Sequence, residues 1–175
     1  MKNDEIIRIN TVEECMELLS LPPANHPLIS ICRLADIKDF VPIGKPVQID
    51  LYVIDIKDET NGTAKYGWRE YDFAKGLMSF FAPGQIHLWS EQAEQINSWG
   101  WMLVFHPDFI RKYPLGTKIS KLKFFSYETS EALHISDTER AQTEALMESI
   151  DTEYKRSIDE HAHDIIVSQL DVLLN

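Results

Sequence analysis

The stretch MSFFAPGQIHLW, residues 78–89, contains the arrangement that decides the fold. An apolar run ends at Pro83-Gly84, and a second apolar run, which carries His87, follows almost at once. Proline and glycine side by side are typical of a turn, and short runs rich in β-branched and aromatic residues are typical of strands. The stretch therefore predicts two strands joined by a tight turn, with His87 on the second strand.

Runs of the same composition recur between Leu28 and Phe105. They are separated by pieces rich in glycine, proline, asparagine and aspartate, which favour turns. No segment with helical periodicity lies between them, so an antiparallel sandwich or barrel is expected rather than βαβ units. The strand-like runs are LISICRL, VQIDLYVIDIK, KYGWREYDF, LMSFFAP, IHLWS and WGWMLVF.

The chain opens with a short predicted helix and closes with two longer ones. Thr11 and Glu14 form the capping-box pattern at the start of a helix over residues 11–20, and two prolines then end it. A second capping box opens residues 136–155, and a further helix begins near Asp159. Apolar residues at helical spacing in these last two helices are Ala145, Leu146, Ile150 and Tyr154, then Ala162, Ile165, Ile166, Leu170, Leu173 and Leu174. The expected fold is mainly β with a C-terminal helical pair.

The net charge of −11 argues against direct binding to nucleic acid, because a phosphate backbone repels so acidic a chain. The one basic stretch, residues 111–123, is expected to be a solvated loop or edge. No apolar run is long enough to span a bilayer, and the charged N-terminus does not fit a signal peptide. Cys15 and Cys32 have neither metal-ligand spacing nor a disulfide framework. These observations predict a cytoplasmic protein that binds no membrane.

His87 is the residue for which a metal site must be considered. Small metal-binding barrels hold iron, manganese or zinc with two histidines one residue apart, a carboxylate and a further histidine on a later strand. His87 fits the last position, but residues 47–73 contain no histidine. His161 and His163 lie two apart on a helix and point in different directions, so both are expected to be solvated. No metal site and no cofactor are predicted.

Covalent catalysis has no motif to support it. The chain contains no G-x-S-x-G nucleophile elbow and no glycine-rich phosphate loop. Neither cysteine lies in a reactive context. We therefore expect that the chain is not an enzyme. The alternatives are a metal-dependent cupin enzyme, such as an isomerase or dioxygenase, and a dimerisation module with an occluded barrel.

Recognition of a small molecule remains, and the strand region supplies aromatic side chains with polar tips, which suit a ligand pocket. For any single ring a place in the core is expected, but as a set some of them should line the mouth of the barrel. The candidates are Tyr52, Tyr66, Trp68, Tyr71, Trp89, Trp99 and Trp101, with Arg69 among them.

The ordered series of segments resembles a known family. GLMSFFAPGQIHLW, residues 76–89, is similar to the glycine–hydrophobic–Pro-Gly-x-x-His segment of the sugar-sensing barrel in AraC-type transcription regulators. WGWMLVFHPDFI, residues 99–110, matches the aromatic strand and F-x-P turn that come next, and residues 65–76 fit the strand that leads into the segment. HPDFIRKYPLG, FFSYE, ALHIS and IVSQLDVLLN resemble the branch that continues into a C-terminal helix-turn-helix domain.

The resemblance implies a cupin-like antiparallel jelly-roll barrel that senses an effector, a sugar or another metabolite. It implies an N-terminal arm at 1–27, the barrel at 28–127 and a helical segment at 128–175, with a homodimer formed through residues 136–175. The ligand-binding residues carried over by position are His87, Trp89, Trp99 and Trp101. Tyr52 and Arg69 are added from the strand pattern.

The resemblance also implies how such a domain would act in transcription regulation. The family binds DNA through its C-terminal helix-turn-helix domain, and this chain ends at Asn175 while its apolar stripe is still running. We therefore expect a fragment of a longer regulator, in which only the missing domain contacts DNA. Effector binding would change how the N-terminal arm or the C-terminal helices pack, and so alter the geometry of two attached DNA-binding domains.

Overall fold

The structure is a computed structural model that describes residues 6–37, 45–58, 76–88, 99–126, 133–156 and 159–175. The helices are α1 (Val12–Leu18), α2 (Pro114–Lys118), α3 (Asp137–Lys155) and α4 (Glu160–Leu173). Short 3₁₀ turns cover Leu34–Asp36, Pro107–Phe109, Ile119–Lys121 and Lys123–Phe125. The strands are β1 (Ile7–Ile9), β2 (Ile29–Arg33), β3 (Pro46–Ile49), β4 (Tyr52–Asp58), β5 (Gly76–Phe81), β6 (Gln85–Leu88), β7 (Gly100–Phe105) and β8 (Leu133–Ile135).

These strands form two sheets. A five-stranded sheet has the order β2-β7-β4-β5-β8, and every neighbouring pair in it is antiparallel. A three-stranded sheet has the order β1-β3-β6, and its β1–β3 pair is parallel. The fold is thus mixed α and β with two largely antiparallel sheets. The parallel β1–β3 pair differs from the antiparallel pairing that the sequence predicts for the strand region. In the described residues, no strand pairing joins the two sheets into a closed barrel.

The run VQIDLYVIDIK, expected as one strand, is divided between the two sheets. Its first part is β3, its second part is β4, and the chain bends at Asp50-Leu51. The Asp50 N–H donates to the Ile9 carbonyl oxygen (2.8 Å), so the bend is bonded to β1. Val47 and Val53 nevertheless lie in the same core, because both parts of the run direct their odd-numbered residues to one side.

The five-stranded sheet separates two hydrophobic cores. The helix-side core packs one face of the sheet against α3, α4 and residues 107–125. The inter-sheet core lies on the other face, against β1, β3 and α1. Since side chains alternate along a strand, Ile54 of β4 belongs to the helix-side core and Val53 to the inter-sheet core.

The predicted helix starts are confirmed. Thr11 Oγ1 accepts the Glu14 N–H (3.1 Å) and Ser136 Oγ accepts the Glu139 N–H (3.3 Å), so both capping boxes are present. The predicted apolar stripe of α3 is partly wrong, since Ala145 is exposed. The buried stripe of α3 instead follows a spacing of four and three residues through Thr143, Met147, Ile150 and Tyr154. In α4 the stripe is confirmed at its centre, with Ile165 and Leu173 half-buried at its margins.

The described part of the predicted N-terminal arm is built into the fold. It supplies β1, which pairs with β3, and α1, whose Val12 and Met16 are buried in the inter-sheet core. The basic stretch 111–123 forms α2 and two 3₁₀ turns, and most of its cations are exposed as expected. Lys118 is the exception, because its Nζ lies 3.0 Å from Asp171 Oδ1 of α4.

Candidate ligand-binding site

A cleft of about 710 Å³ lies along β2, which is an edge strand of the five-stranded sheet. Such a volume is in the range of small-ligand pockets. The cleft is bounded by the end of α1 and the following loop on one side and by the C-terminal turn of α3 on the other. Its lining residues are Met16, Ser20, Leu21, Pro22, Pro23, Asn25, Ser30, Ile31, Cys32, Arg33, Ala35, Asp36, Trp101, Asp151, Tyr154 and Lys155.

Arg33 and Trp101 form the centre of the α3 side of the cleft. They are direct partners on β2 and β7, and Cζ of Arg33 lies 3.6 Å from the centroid of the Trp101 ring. The guanidinium also pairs with Glu148 (3.1 Å) and Glu144 (3.6 Å) of α3. A cation over an indole face is worth about 0.5–1 kcal/mol where it is partly exposed. The sheet and α3 are therefore held together at the cleft by a cation that contacts both.

The same set of contacts continues away from the cleft. The Trp99 indole N–H donates to Glu144 Oε1 (3.1 Å), so Glu144 contacts both Arg33 and Trp99. Cζ of Arg140 lies 3.8 Å from the Trp99 ring centroid, and its Nη2 lies 2.9 Å from Asp58 Oδ1. A continuous series of ion pairs, a hydrogen bond and a cation–π contact thus runs from β2 across α3 to the end of β4.

Tyr154 closes one end of the cleft. Its hydroxyl accepts the backbone N–H of Asn25 (2.8 Å) and donates to Ser30 Oγ (3.3 Å). Tyr154 is the last buried residue of α3, and Asn25 lies in the loop before β2. One hydroxyl group therefore joins α3, β2 and the loop that forms the opposite side of the cleft.

Tyr154→Phe should lower the free energy of unfolding by about 1–2 kcal/mol, because it leaves the Asn25 N–H without its acceptor and removes the bond to Ser30. Limited proteolysis should also become faster in residues 21–25. Urea denaturation and mass spectrometry of the fragments measure the two effects. Tyr113→Phe is the matched control, since it removes a hydroxyl bonded to Asp164 at an exposed position. Equal losses in the two variants would contradict the role assigned to Tyr154.

A half-buried acid, Asp55, lies at the middle of β4 beside the inter-sheet core, and its Oδ1 is enclosed. Asp55 lies opposite Ser79 of β5 and Met102 of β7, and Oδ1 of Asp55 has no hydrogen-bond partner among the residues that the structure describes. Burial raises the pKa of its carboxyl to about 6, and the positive charge of Lys57 opposes this rise. Burial, followed by the charge of Asp55, also raises the pKa of the Cys15 and Cys32 thiols to about 12. Both cysteines are therefore protonated and unreactive at neutral pH.

His87 lies in the inter-sheet region and not in the cleft. It is the direct β6 partner of Val47 on β3, and Val47 is fully buried in the inter-sheet core. Its ring meets the Phe81 ring edge-on at a centroid distance of 4.6 Å. Burial lowers the pKa of the imidazole, so His87 is neutral at physiological pH. A neutral imidazole at this position can donate one hydrogen bond and accept another, but it carries no charge.

The predicted ligand-binding set is distributed over different parts of the molecule. Trp101 lines the cleft, and Trp99 belongs to the same series of contacts. Tyr52 is in the helix-side core, stacked on Phe105 at 5.2 Å. His87 lies beyond the sheet, on its inter-sheet side. Two further predicted residues, Arg69 and Trp89, lie outside the described residues, as do the other candidates Tyr66, Trp68 and Tyr71.

Three important residues of these sites were not predicted, namely Arg33, Tyr154 and Asp55. Arg33 is the penultimate residue of the strand-like run LISICRL, and nothing in its sequence neighbourhood indicates that it meets α3. Tyr154 was assigned only to the apolar stripe of its helix. Asp55 offered a usable signal, because it is an acid that continues the alternate apolar positions Leu51 and Val53, and such a residue in a strand predicts a polar site on the apolar face.

The histidines of α4 differ from each other. His161 is exposed, as predicted, but the prediction that His163 is solvated is wrong. The His163 ring stacks on Phe109 at a centroid distance of 4.1 Å, and its Nε2 lies 2.7 Å from the Phe109 carbonyl oxygen. His26 meets both rings edge-on. Within the described ranges no group of three or more histidine, cysteine or acidic residues is arranged to hold a metal ion.

Comparisons with family models, with curated proteins and with solved structures found no match to this chain. In the described part of the chain, the helices are too short or too polar to cross a membrane.

Proposed function

We propose that this chain is the effector-sensing and dimerisation domain of a cytoplasmic transcription regulator of the AraC type. The effector, a sugar or another metabolite, binds the cleft along β2. The single observation that supports the proposal most strongly is that this cleft is lined by both the five-stranded sheet and α3. DNA is contacted only by a helix-turn-helix domain of the full-length protein, in keeping with the net charge of −11.

The proposed mechanism uses the contacts between Arg33, Trp101 and α3. A ligand that touches the Trp101 indole or the Arg33 guanidinium acts on the ion pairs that Arg33 forms with α3. It either competes with the pairs to Glu144 and Glu148 or strengthens them. Any difference in its affinity for two positions of α3 shifts the population between them. The Tyr154 hydroxyl extends the effect to the loop at Asn25. Effector binding would thus be transmitted to the C-terminal helices.

The cupin-like jelly roll is part of the same proposal. Its support is the pair of sheets that share the inter-sheet core, together with the strand–turn–strand corner at β5 and β6. In this arrangement the change of sheet at Asp50 serves as a barrel corner.

The proposed homodimer forms through the C-terminal helices. Val172 of α4 is 63% exposed, and the half-buried Ile165 and Leu173 lie on the same helix. An exposed large aliphatic side chain beside half-buried ones is the kind of surface that a second copy covers.

The sensing role is tested by thermal unfolding of the chain in the presence of a panel of sugars, sugar phosphates, amino acids and short peptides. At least one should raise the melting temperature in a concentration-dependent manner. Ala35→Trp places a large ring at the exposed end of the cleft and should abolish this shift without removing a core side chain. Ile86→Trp, at an exposed position on β6, is the control. No shift with any compound, or a shift that survives Ala35→Trp, would contradict the proposal.

Val172→Glu should convert a dimer into a monomer, because it places two charges in an apolar contact across the two-fold axis. Sedimentation velocity at micromolar concentration should show wild type as a dimer and the variant as a monomer of unchanged secondary structure. Ile86→Glu, which alters another exposed aliphatic residue, should leave the dimer intact. A monomeric wild type would overturn the dimerisation role.

A further inference from the structure

The outer edge of β2 carries backbone groups that no described strand pairs. The His106 N–H donates to the Leu28 carbonyl oxygen (2.9 Å), which fixes the alternation of the β2–β7 pair. Even-numbered residues of β2 therefore bond to β7, and Ile31 and Arg33 direct their backbone groups away from it. Arg33 is also the N-cap of the 3₁₀ turn at 34–36, so its carbonyl is the natural first acceptor of that turn. The N–H and C=O of Ile31 and the N–H of Arg33 therefore point away from β7, and both residues line the cleft.

The cleft has walls on both faces of the sheet. Trp101 and Tyr154 belong to the helix-side core, whereas Met16 and Leu21 belong to or pack against the inter-sheet core. All four line the cleft. A second copy of this protein carries the same two walls beside its own β2, so the walls prevent the two edges from meeting. A single extended chain meets no such obstacle.

Trp101 provides a second observation that points to a ligand. The residue is 2% exposed and lines the cleft, and its indole N–H has no hydrogen-bond partner in the described residues. A buried indole N–H normally has an acceptor, and leaving it without one costs about 1–3 kcal/mol. A carbonyl oxygen of a bound chain is an acceptor of the required kind.

The cleft is lined by equal numbers of acids and bases, and two further acids beside it give its surroundings a net negative charge. Asp36 and Asp151 line it, and Glu144 and Glu148 contact the lining residue Arg33, whereas the bases among the described lining residues are Arg33 and Lys155. Both bases already pair with acids, since Lys155 Nζ lies 2.6 Å from Asp151. The α1 side of the cleft is apolar, with Met16, Leu21 and two prolines. A complementary chain carries basic side chains towards α3 and apolar side chains towards α1.

We propose that the effector of this cleft is a short peptide that adds to β2 as a further strand, with basic and apolar side chains in alternation. The inference rests on the proposed sensing function and takes a peptide, rather than a sugar, as the ligand of that function. Backbone hydrogen bonds to Ile31 and Arg33 provide affinity. The two walls contact alternate side chains of the peptide and provide specificity, as in other cases of strand addition.

The test uses fluorescein-labelled hexapeptides in which lysine or arginine alternates with leucine, isoleucine or valine. Fluorescence anisotropy with the full chain should detect binding, and peptides with glutamate in place of lysine should bind at least tenfold more weakly. Single N-methylation along the best peptide should then weaken binding at least tenfold at the residues whose N–H faces β2, where the methyl group removes the bond to the Ile31 carbonyl oxygen or meets the strand edge. It should weaken binding by less than about twofold at the residues between them. This two-residue period is specific to strand pairing and requires no change in the protein.

Two charge variants locate the site. Asp36→Lys reverses the charge of an exposed acid of the cleft and should weaken binding of the basic peptide by about three- to fivefold. Glu160→Lys makes the same change at an exposed position on α4 away from the cleft and should have no effect. Absence of binding by the whole library, N-methyl effects without a two-residue period, or equal effects of the two variants would each overturn the peptide inference.

The outcomes also separate this inference from the proposed function. If a metabolite shifts the melting temperature through the cleft and no peptide binds, the sensing function stands and the peptide inference is wrong. If peptides bind with the expected period but saturating peptide leaves the sedimentation of the dimer and the proteolysis of residues 21–25 unchanged, the ligand class is right and the coupling to the helices is wrong.

Discussion

Asp55→Asn should stabilise the protein by about 2–3 kcal/mol at pH 7.5 and by less than about 1 kcal/mol at pH 4. Burial raises the pKa of this carboxyl from 3.8 to about 6 in the folded state. The folded state therefore binds the proton more tightly than the unfolded state. The stability that this tighter proton binding contributes is fully present below pH 3.8, and it is lost as the pH rises through about 6. Asparagine has nearly the same shape as aspartate and carries no charge at any pH. The variant therefore does not lose this stability as the pH rises.

Urea denaturation of wild type and variant at the two pH values measures this difference directly. The two conditions lie on either side of the isoelectric point of about 4.9, which avoids poor solubility. Asp36→Asn, at an exposed position, is the control and should follow wild type at both values. A variant that is less stable than wild type at pH 7.5 would show that the ionised carboxylate has a favourable partner, and the assignment of Asp55 as a half-buried acid that destabilises the fold would be wrong.

Gly100→Ala should lower the free energy of unfolding by more than about 3 kcal/mol. The φ of Gly100 is +136°, a conformation that residues with a side chain rarely adopt. A Cβ at this position would lie only 2.3 Å from the Ile56 carbonyl oxygen and 2.7 Å from Cδ1 of Leu34. Because Gly100 begins β7 next to Trp101, the backbone shift that relieves these contacts would also displace the indole from the cleft.

Gly84→Ala provides the comparison for this prediction. Gly84 has a φ of +84°, but the nearest atom to an added Cβ is Asp50 Oδ1 at 3.9 Å. The variant therefore has backbone strain without a clash, and it should lose only about 1 kcal/mol. Urea denaturation at pH 7.5 gives both values. Comparable losses at the two glycines would show that the strand β7 adapts to a side chain and that the clash with Ile56 is not decisive.

The local features of this fold were predictable from sequence, because they depend on residues close together in the chain. The capping boxes at Thr11 and Ser136 and the turn at Pro83-Gly84 are of this kind. The assignment of strands to sheets was not predictable in the same way. The bend at Asp50 depends on a hydrogen bond to Ile9, a residue in a segment expected to be an arm. The alternation of side chains between the two faces fits one continuous strand over β3 and β4 as well as it fits two separate strands.

The candidate site was predictable only in part, for a related reason. Trp101 belongs to an aromatic run that indicates a pocket, and it lines the cleft. Its neighbours come from distant parts of the chain, since the Arg33–Glu148 bond joins residues 115 positions apart and the Tyr154–Ser30 bond joins residues 124 apart. The choice between the two faces of β4 also depends on the helices that cover one of them. Tyr52 is an example, because its ring belongs to the face that α3 and α4 enclose.

The five-stranded sheet is a partition shared by both cores, and this has a consequence for the cooperativity of the molecule. In β7, Leu103 belongs to the helix-side core while Met102 and Val104 belong to the inter-sheet core. Neither core can loosen without removing support from the other, so the two cores form one cooperative unit rather than two independent ones. A ligand held at the edge of this sheet therefore stabilises residues of both cores beyond those that it touches, and sequence changes in either core alter its affinity.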